Sequence, residues 1–363
     1  MPIVRTLSNG NKVTDWTQEV KEIDNQYGLL NGMGLFNEVG TSQESVIFEK
    51  EYQTSTLIPQ TSRRGKPHSK GQDRQAEVFS LALPYFSTSD YITPSDIQGK
   101  RKVGTPDGAQ DLASAIAVKM EDMRVNIDQT KEFMKICAIR GITVDPQFHR
   151  IADMFDEFGL TAADYTINWT LSDPAFDVDE AIRNLKRAVA KNAKTGGRIG
   201  NVHMLVTPEF FDALIKHPKI REAYLHYSVT GASSDVIRGN LQTFESWGVV
   251  DHFVHQGFTF MSYDADFNFP DGTVQRGFGE AGRTSIRGTE TAAMGIVLVD
   301  GVRDLYRAYY GPSNTLSGAN KVGAPLFMYQ WTDPKDKFIE MEAEMSPLYV
   351  LMKPQLAMEV HAV

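Results

Sequence analysis

The sequence predicts an α+β fold organised around one very long helix, and three observations carry that prediction. The first is an apolar stripe between Asp107 and Gly141. Leu112, Ile116, Met120, Met123, Ile127, Met134 and Cys137 recur there at helical steps. The second is a pair of extended segments, 47–60 and 76–92, joined by an open basic loop. The third is the C-terminal stretch. It alternates strictly from Ile339 to Met345, breaks at Pro347, and resumes through Leu348–Met352 and then Leu356, Met358 and Val360.

Asp107 is placed to cap the helix, Asp111 adds negative charge to its first turn, and Gly141 is placed to stop it. Thr130 interrupts the stripe. A helix over 107–140 is roughly 50 Å long. Most globular helices need only three or four turns. One that outspans a compact core needs something extended to lie on, either a coiled-coil partner or a long thin sheet of its own chain.

The 363 residues leave room for two or three domains. With 41 % hydrophobic and 23 % charged residues the chain reads as globular. No apolar run approaches the ~18 residues of a membrane span. The N-terminus, MPIVRTLSNGNKV, has no apolar signal core, so secretion is not expected. Cys137 is the single cysteine and lies in the helix stripe, which excludes an intrachain disulfide and predicts a buried thiol. A net charge of -9 argues against general nucleic-acid binding.

Residues 1–50 carry seven acids against four bases, Arg5, Lys12, Lys21 and Lys50, with few apolar positions. They read as either an arm that orders against something else or a loosely attached cap. The loop between the extended segments, SRRGKPHSKGQDRQ, holds Arg63, Arg64, Lys66, Lys70 and Arg74 against Asp73, a net of +4. An isolated hairpin is marginal in water, so this one needs a partner surface. Three readings of the tip stand: a solvated loop, contact with an acidic neighbouring subunit, or nucleic-acid contact. The second is favoured, since only His68 can stack on a base.

Ser89–Gly104 is expected to be a turn-rich connection, Phe148–Phe158 a short helix, and Tyr165–Leu171 a strand. Residues 174–330 read as an α/β region. An amphipathic helix, DVDEAIRNLKRAVAKNAKTGGR, precedes the strand Val202–Val206. A second helix is capped by Thr207 with Pro208 in its first turn. VVDHFVHQGFTFMSY alternates, a turn with Asp271-Gly272 follows, and Ala292–Val299 is a buried-strand candidate. In Ile339–Met345, Glu340, Glu342 and Glu344 form one face, expected to be solvated or to meet a basic neighbour.

The search for chemistry is largely negative. No phosphate-binding loop, dinucleotide fingerprint, nucleophile elbow or H-E-x-x-H occurs, and Gly65-Lys66 is followed by Pro67. His252 and His255, beside Asp251, point to opposite faces of a strand, so no metal site is expected. His203 reads as a hydrogen-bonded core histidine. Asp264 and Asp266 share a face if extended, where they could bind Ca²⁺ or pair as acid and base, but no third and fourth oxygen donors lie nearby and neither role is expected. No catalytic residue, cofactor or metal is assigned. The fourteen methionines are read as core filling.

The order of elements is more informative. An acidic arm leads to a hairpin with a charged tip, then a spine-like helix, an α/β insertion and a return to strands. The C-terminus, KFIEMEAEMSPLYVLMKPQLAMEVHAV, carries most of a resemblance. The run from Ile58-Pro59 through the basic loop to Val78 adds to it, as does the stretch GAQDLASAIAVKMEDMRVNIDQTKEFMKICAIRG. On these segments the chain resembles the major capsid proteins of tailed phages with the Hong Kong 97-type fold. More narrowly, it is similar to the family of the phage lambda major head protein E.

The resemblance implies an N-terminal arm (1–49) and an extended loop (50–92). It implies a peripheral domain (93–172 and 326–363, spine helix 107–140) and an axial α/β domain (173–325). It implies a virion capsid protein assembled in the host cytoplasm into hexamers and pentamers around double-stranded DNA, with Arg63, Arg64, Lys66, Lys70 and Arg74 at an inter-subunit contact. A scaffolding protein, a portal, a maturation protease and, in lambda-like members, a decoration protein accompany such shells. No coiled-coil-like segment precedes the arm, so scaffolding is expected from a separate protein. Lys66 and Lys70 offer amines for a covalent cross-link, but lambda-like shells do without one and none is expected. The rival readings are an encapsulin-like compartment with enzyme cargo, a nucleic-acid-binding module, and a metal-dependent or acid–base enzyme built on Asp264, Asp266 and His252.

Overall fold

The computed structural model describes residues 3–6, 12–15, 28–51, 76–98, 111–193, 200–223, 249–279, 286–288 and 290–363. The long helix spans Leu112–Ile139, 28 residues, or about 42 Å. Its cap is Asp111 and not the expected Asp107, which lies outside the described residues. Asp111 Oδ1 accepts the Ser114 amide at 3.1 Å, the reach an N-cap side chain makes to the third helical residue. At the other end Gly141 adopts φ +86° and its amide bonds the Ala138 carbonyl. A Cβ there would come within 2.6 Å of Phe155, so a side chain would meet both backbone strain and a clash.

The two halves of this helix live in different surroundings. In the first half Ile116, Met120, Met123 and Ile127 pack on Ile92, Met328, Met341, Ala343 and Met345. Leu112, expected to start the stripe, is 41 % exposed. In the second half every residue from Lys131 to Ile139 is buried, charged ones included. A helix that leaves a sheet surface and enters a core needs an apolar stripe at one end and all-round burial at the other.

The extended support is a sheet of the same chain. Its strands run in the order Ile3–Thr6, Lys12–Asp15, Phe327–Thr332, Ile339–Met345 and Phe86–Ile92, antiparallel throughout. Ser346 bends the C-terminal path out of this sheet. Pro347–Leu351 then pairs with Tyr306–Tyr310, which pairs in parallel with Asn37–Gly40. The glutamates of Ile339–Met345 do not share one solvated face. Glu340 is exposed, but Glu344 is buried, accepting the Tyr85 hydroxyl at 2.7 Å and the Asn314 amide at 3.2 Å. The loop after Tyr310 and Tyr85 close over that end of the strand.

A second, mixed sheet holds the main core. Its order is Val249–His255, Phe258–Tyr263, Val202–Val206, Met294–Val299, Glu359–Ala362 and Thr166–Trp169. The helices Val178–Asn192 and Pro208–Lys216 bury Ile182, Leu185, Phe210 and Leu214 in that core, and start at the caps Asp177 and Thr207. Both helices, the Thr207 cap and the strands Val202–Val206 and Met294–Val299 follow the sequence pattern. So does the turn at Asp271-Gly272, between the paired strands Asp266–Asn268 and Val274–Arg276.

Three local expectations are corrected. Residues 76–92 form two strands, Ala76–Ala82 and Phe86–Ile92, in different sheets. The break at Leu83-Pro84-Tyr85 follows from Pro84, which has no amide hydrogen for a ladder. Ser89–Ile92 is therefore strand, not turn. In Phe148–Phe158 only Met154–Glu157 is helical. Arg150–Asp153 pairs with Ile142–Val144 instead, and Asp153 caps the short helix through the Phe155 and Asp156 amides. Among the described residues, the strands Tyr306–Tyr310 and Phe327–Thr332 had no sequence assignment.

Candidate assembly surfaces

The root of the extended hairpin is an antiparallel pair, Ser45–Glu51 with Ala76–Ala82, with Phe48 directly opposite Phe79. Alternation gives the pair two unlike faces. On the inner face Phe48 and Leu81 pack against Ala152, Met154, Tyr309, Leu348 and Val350. Phe48 and Phe79 stack with centroids 5.2 Å apart. Lys50 Nζ donates to the Glu157 carbonyl at 3.0 Å, meets Glu77 at 3.2 Å and lies 5.0 Å from the Phe158 ring centre. On the outer face Ile47 and Val78, diagonal neighbours across the pair, are 68 % and 63 % exposed. The tip residues Arg63, Arg64, Lys66, Lys70 and Arg74 lie outside the described residues.

The segment around Leu29–Met33 is fastened to the spine helix. Its short helix buries Leu29 and Leu30 completely. The Glu132 carboxylate accepts the amides of Leu30 and Asn31, each at 2.8 Å, and the Tyr263 hydroxyl at 3.0 Å. It thus serves two of the amides that a helix start leaves without intrahelical partners. Lys135 Nζ donates to Asn31 Oδ1 at 2.7 Å and stands over the rings of Phe36 and Tyr349. Burial pushes the Glu132 carboxyl up, against the pull of the two amides, Lys135 and Tyr263. Burial likewise pulls the Lys135 amine down, against Glu132 and Glu38. Sequence inspection missed both residues. Charges inside an apolar helix stripe were the available signal.

A buried ion cluster holds the far end of the spine helix. Arg140 Nε donates to Glu359 Oε1 at 2.7 Å, and its Nη2 meets Glu290. Arg287 Nη2 donates to the Arg140 and Ala357 carbonyls, each at 2.6 Å, and its guanidinium lies 4.7 Å from the Phe155 ring centre. The four side chains of this cluster are fully enclosed. Burial opposes the charge on Glu359, but Arg140 and Arg287 outweigh it and hold the carboxyl down at about 2. Burial pulls the Arg287 guanidinium down to about 10, despite Glu359. The cluster joins the helix end, the 286–290 segment and the C-terminal strand.

The residues considered for catalysis serve the structure. Asp264 pairs with Arg276 at 2.7 Å, and Arg276 also meets Glu209 at 2.6 Å. Asp266 is an exposed residue of the small Asp266–Asn268 strand. His255 Nε2 meets Asp179 at 2.6 Å. His252 lies opposite Met261 in the next strand. His203 is half-buried, burial pulls its pKa down, and its Nδ1 has no hydrogen-bond partner among the described residues. Cys137 is buried, which pushes its thiol up to about 12. Among the described residues no group of three His, Cys, Asp or Glu could hold a metal ion. No helix there is long and apolar enough to cross a membrane.

The chain matches a family model described as phage major capsid protein E over residues 12–362. The major capsid protein of Salmonella phage Felix O1 is 29 % identical over 365 residues, covering 98 % of both chains. That of Pseudomonas phage KPP10 is 28 % identical over 362 residues, again covering 98 % of both. A solved structure described as a capsid protein of a prophage, from E. coli CFT073, is 13 % identical. It matches with a TM-score of 0.57 over 99 % of this chain and 100 % of that one, which is a likeness of fold. The fold is the Hong Kong 97-type capsid fold implied by the sequence resemblance. With its spine helix, its hairpin root and a family match running nearly end to end, the chain belongs to the phage major capsid protein E family and is a structural component of the virion capsid.

Proposed function

We propose that copies of this chain associate into hexamers and pentamers that close an icosahedral head around packaged double-stranded DNA. The observation that carries this is the two-faced hairpin root. One face is welded to the subunit through Phe48, Leu81 and Lys50, while Ile47 and Val78 stand bare on the other. Such a projection is held in a fixed direction and leaves apolar area that its own subunit does not cover. A neighbouring copy supplies the cover. Each contact can be weak, because every subunit makes many and geometry couples them.

The division into arm (1–49), extended loop (50–92), peripheral domain (93–172 with 326–363) and axial domain (173–325) belongs to the same proposal. So do a separate scaffolding protein, a portal and a decoration protein. The basic tip steers register against acidic neighbours more than it supplies affinity. With a net charge of -9 the wall binds DNA weakly and without sequence preference. The chain works by association, not catalysis. Size-exclusion chromatography and negative-stain microscopy of the full chain test the reading. Closed shells or ring-shaped capsomers are expected, and a small discrete oligomer under all assembly conditions would refute it.

A further inference from the structure

We propose that Lys135 and Asn31 of one subunit join through their side chains in an isopeptide bond, with Glu132 carrying the proton and ammonia leaving. The bond lies within one chain and is distinct from the inter-chain cross-link considered for Lys66 and Lys70. It does not depend on shell assembly.

Docking of the short helix Leu29–Met33 on the spine helix brings the three residues together. Asn31 and Lys135 are 104 residues apart in sequence, yet Lys135 Nζ lies 2.7 Å from Asn31 Oδ1. The side-chain amide is held from its other end too, since Asn31 Nδ2 donates to the Asp128 carbonyl at 3.0 Å. Glu132 Oε2 accepts the Asn31 backbone amide at 2.8 Å. A Cβ built on Gly28 would meet Glu132 Oε2 at 2.6 Å and Asn31 Nδ2 at 2.8 Å, so the carboxylate and the amide nitrogen border the same small space. Reacting groups held in this way need no chance encounter.

The surroundings favour an amine nucleophile. Lys135 is 6 % exposed and Glu132 1 %. The rings of Phe36 and Tyr349, with centres 5.7 and 5.4 Å from Lys135 Nζ, shield it from water. Burial raises the Glu132 carboxyl and lowers the Lys135 amine, and both shifts favour the uncharged forms. Glu38 and Asp128 oppose the shift of Lys135, and Lys131 adds to it. A lysine attacks only as the free amine, and desolvation is one way to produce that form.

The step balances. The Lys135 Nζ lone pair attacks Asn31 Cγ, and the new Nζ–Cγ bond replaces the Cγ–Nδ2 bond. Glu132 takes one proton from Nζ and returns it to Nδ2, which leaves as ammonia, so the carboxyl ends as it began. Asn31 is half-buried beside exposed Gly32, which gives the ammonia a way out. A competing route is attack of the Gly32 nitrogen on the same carbon to give a succinimide. In the folded chain the Gly32 amide donates to the Gly28 carbonyl at 3.1 Å, which holds that nitrogen in the helical turn. The isopeptide product closes a long loop of chain and restricts the unfolded state.

The test is mass spectrometry of the folded full chain, intact and after denaturation and trypsin digestion. The unsubstituted protein should be lighter by one ammonia. Its digest should contain a branched peptide joining residues 22–50 to 132–140, uncleaved at Lys135. Lys135→Arg keeps the positive charge and should show neither change. Glu132→Gln should lower the bonded fraction at a fixed time by at least about tenfold. An unsubstituted chain that releases 22–50 only as a linear peptide would overturn the proposal, and this arm decides even where a variant fails to fold. Loss of ammonia that persists in Lys135→Arg would assign it to the succinimide and also overturn the proposal. An undiminished bonded fraction in Glu132→Gln would remove Glu132 from the step.

Discussion

Glu132 and Leu30 lie 102 residues apart in sequence, yet the Glu132 carboxylate accepts the Leu30 amide hydrogen at 2.8 Å. The adjacent Asn31 amide uses the other oxygen of the same carboxylate. The short helix Leu29–Met33 is thereby joined to the second half of the long helix Leu112–Ile139.

Glu132→Ala should therefore free the short helix Leu29–Met33 while leaving the six-stranded sheet intact. The buried Leu30 amide, the half-buried Asn31 amide and the Tyr263 hydroxyl lose an acceptor, at a cost of about 2 to 3 kcal/mol. Amide hydrogen exchange should rise at Leu30 and Asn31. Unchanged protection there would show that buried Leu29 and Leu30 hold the arm by themselves.

The ion cluster gives a pH dependence with a defined sign. Glu359 has a folded pKa depressed to about 2 from an ordinary value of 4.5. Its contribution is complete above 4.5 and is lost as pH falls from there towards about 2. Glu359→Gln should cost about 3 kcal/mol at neutral pH, because Arg140 and Arg287 stay buried without their carboxylate. Urea unfolding followed from pH 7 down to pH 2 should show the gap between the two proteins closing in that acid window. A constant gap would contradict this account.

The two faces of the hairpin root should separate folding from assembly. Phe48→Ala removes a buried ring and should destabilise the subunit by about 3 kcal/mol. Ile47→Asp with Val78→Asp alters exposed positions and should change stability by less than about 0.5 kcal/mol. Its effect should appear only when particles are counted by electron microscopy.

Charge reversal at the tip tests steering. Arg63→Glu, Arg64→Glu and Lys66→Glu together change the 62–75 segment from net +4 to net -2. The subunit should remain soluble and folded while assembly falls, most sharply at low salt, where screening is weakest. Particles of normal number and shape from the triple variant would remove the tip from the mechanism.

Where one local rule governed an element, the pattern of residues was enough. The Thr207 cap, the Asp271-Gly272 turn and the alternation Ile339–Met345 are local, and each sits where its residues place it. The spine helix was legible from its stripe, though its start moved from Asp107 to Asp111. Where partners are distant the pattern was silent. Glu344 reads as one of three solvated carboxylates until Tyr85 and Asn314 close over it. Arg140, Glu290 and Glu359 look like ordinary surface charges across 219 residues of sequence until they meet in the core.

The sequence by itself determined that a helix too long for one core must exist, that two extended segments flank a basic stretch, and that the chain must end in strands. Those features follow from periodicity, turn chemistry and local charge, which act over a few residues. Tertiary structure alone decided which charges are buried, that the last strand inserts between Met294–Val299 and Thr166–Trp169 in the second sheet, and that the hairpin root has one fastened face and one bare one. Those outcomes depend on which surfaces meet, and burial and ion pairing act only once distant segments have been brought together.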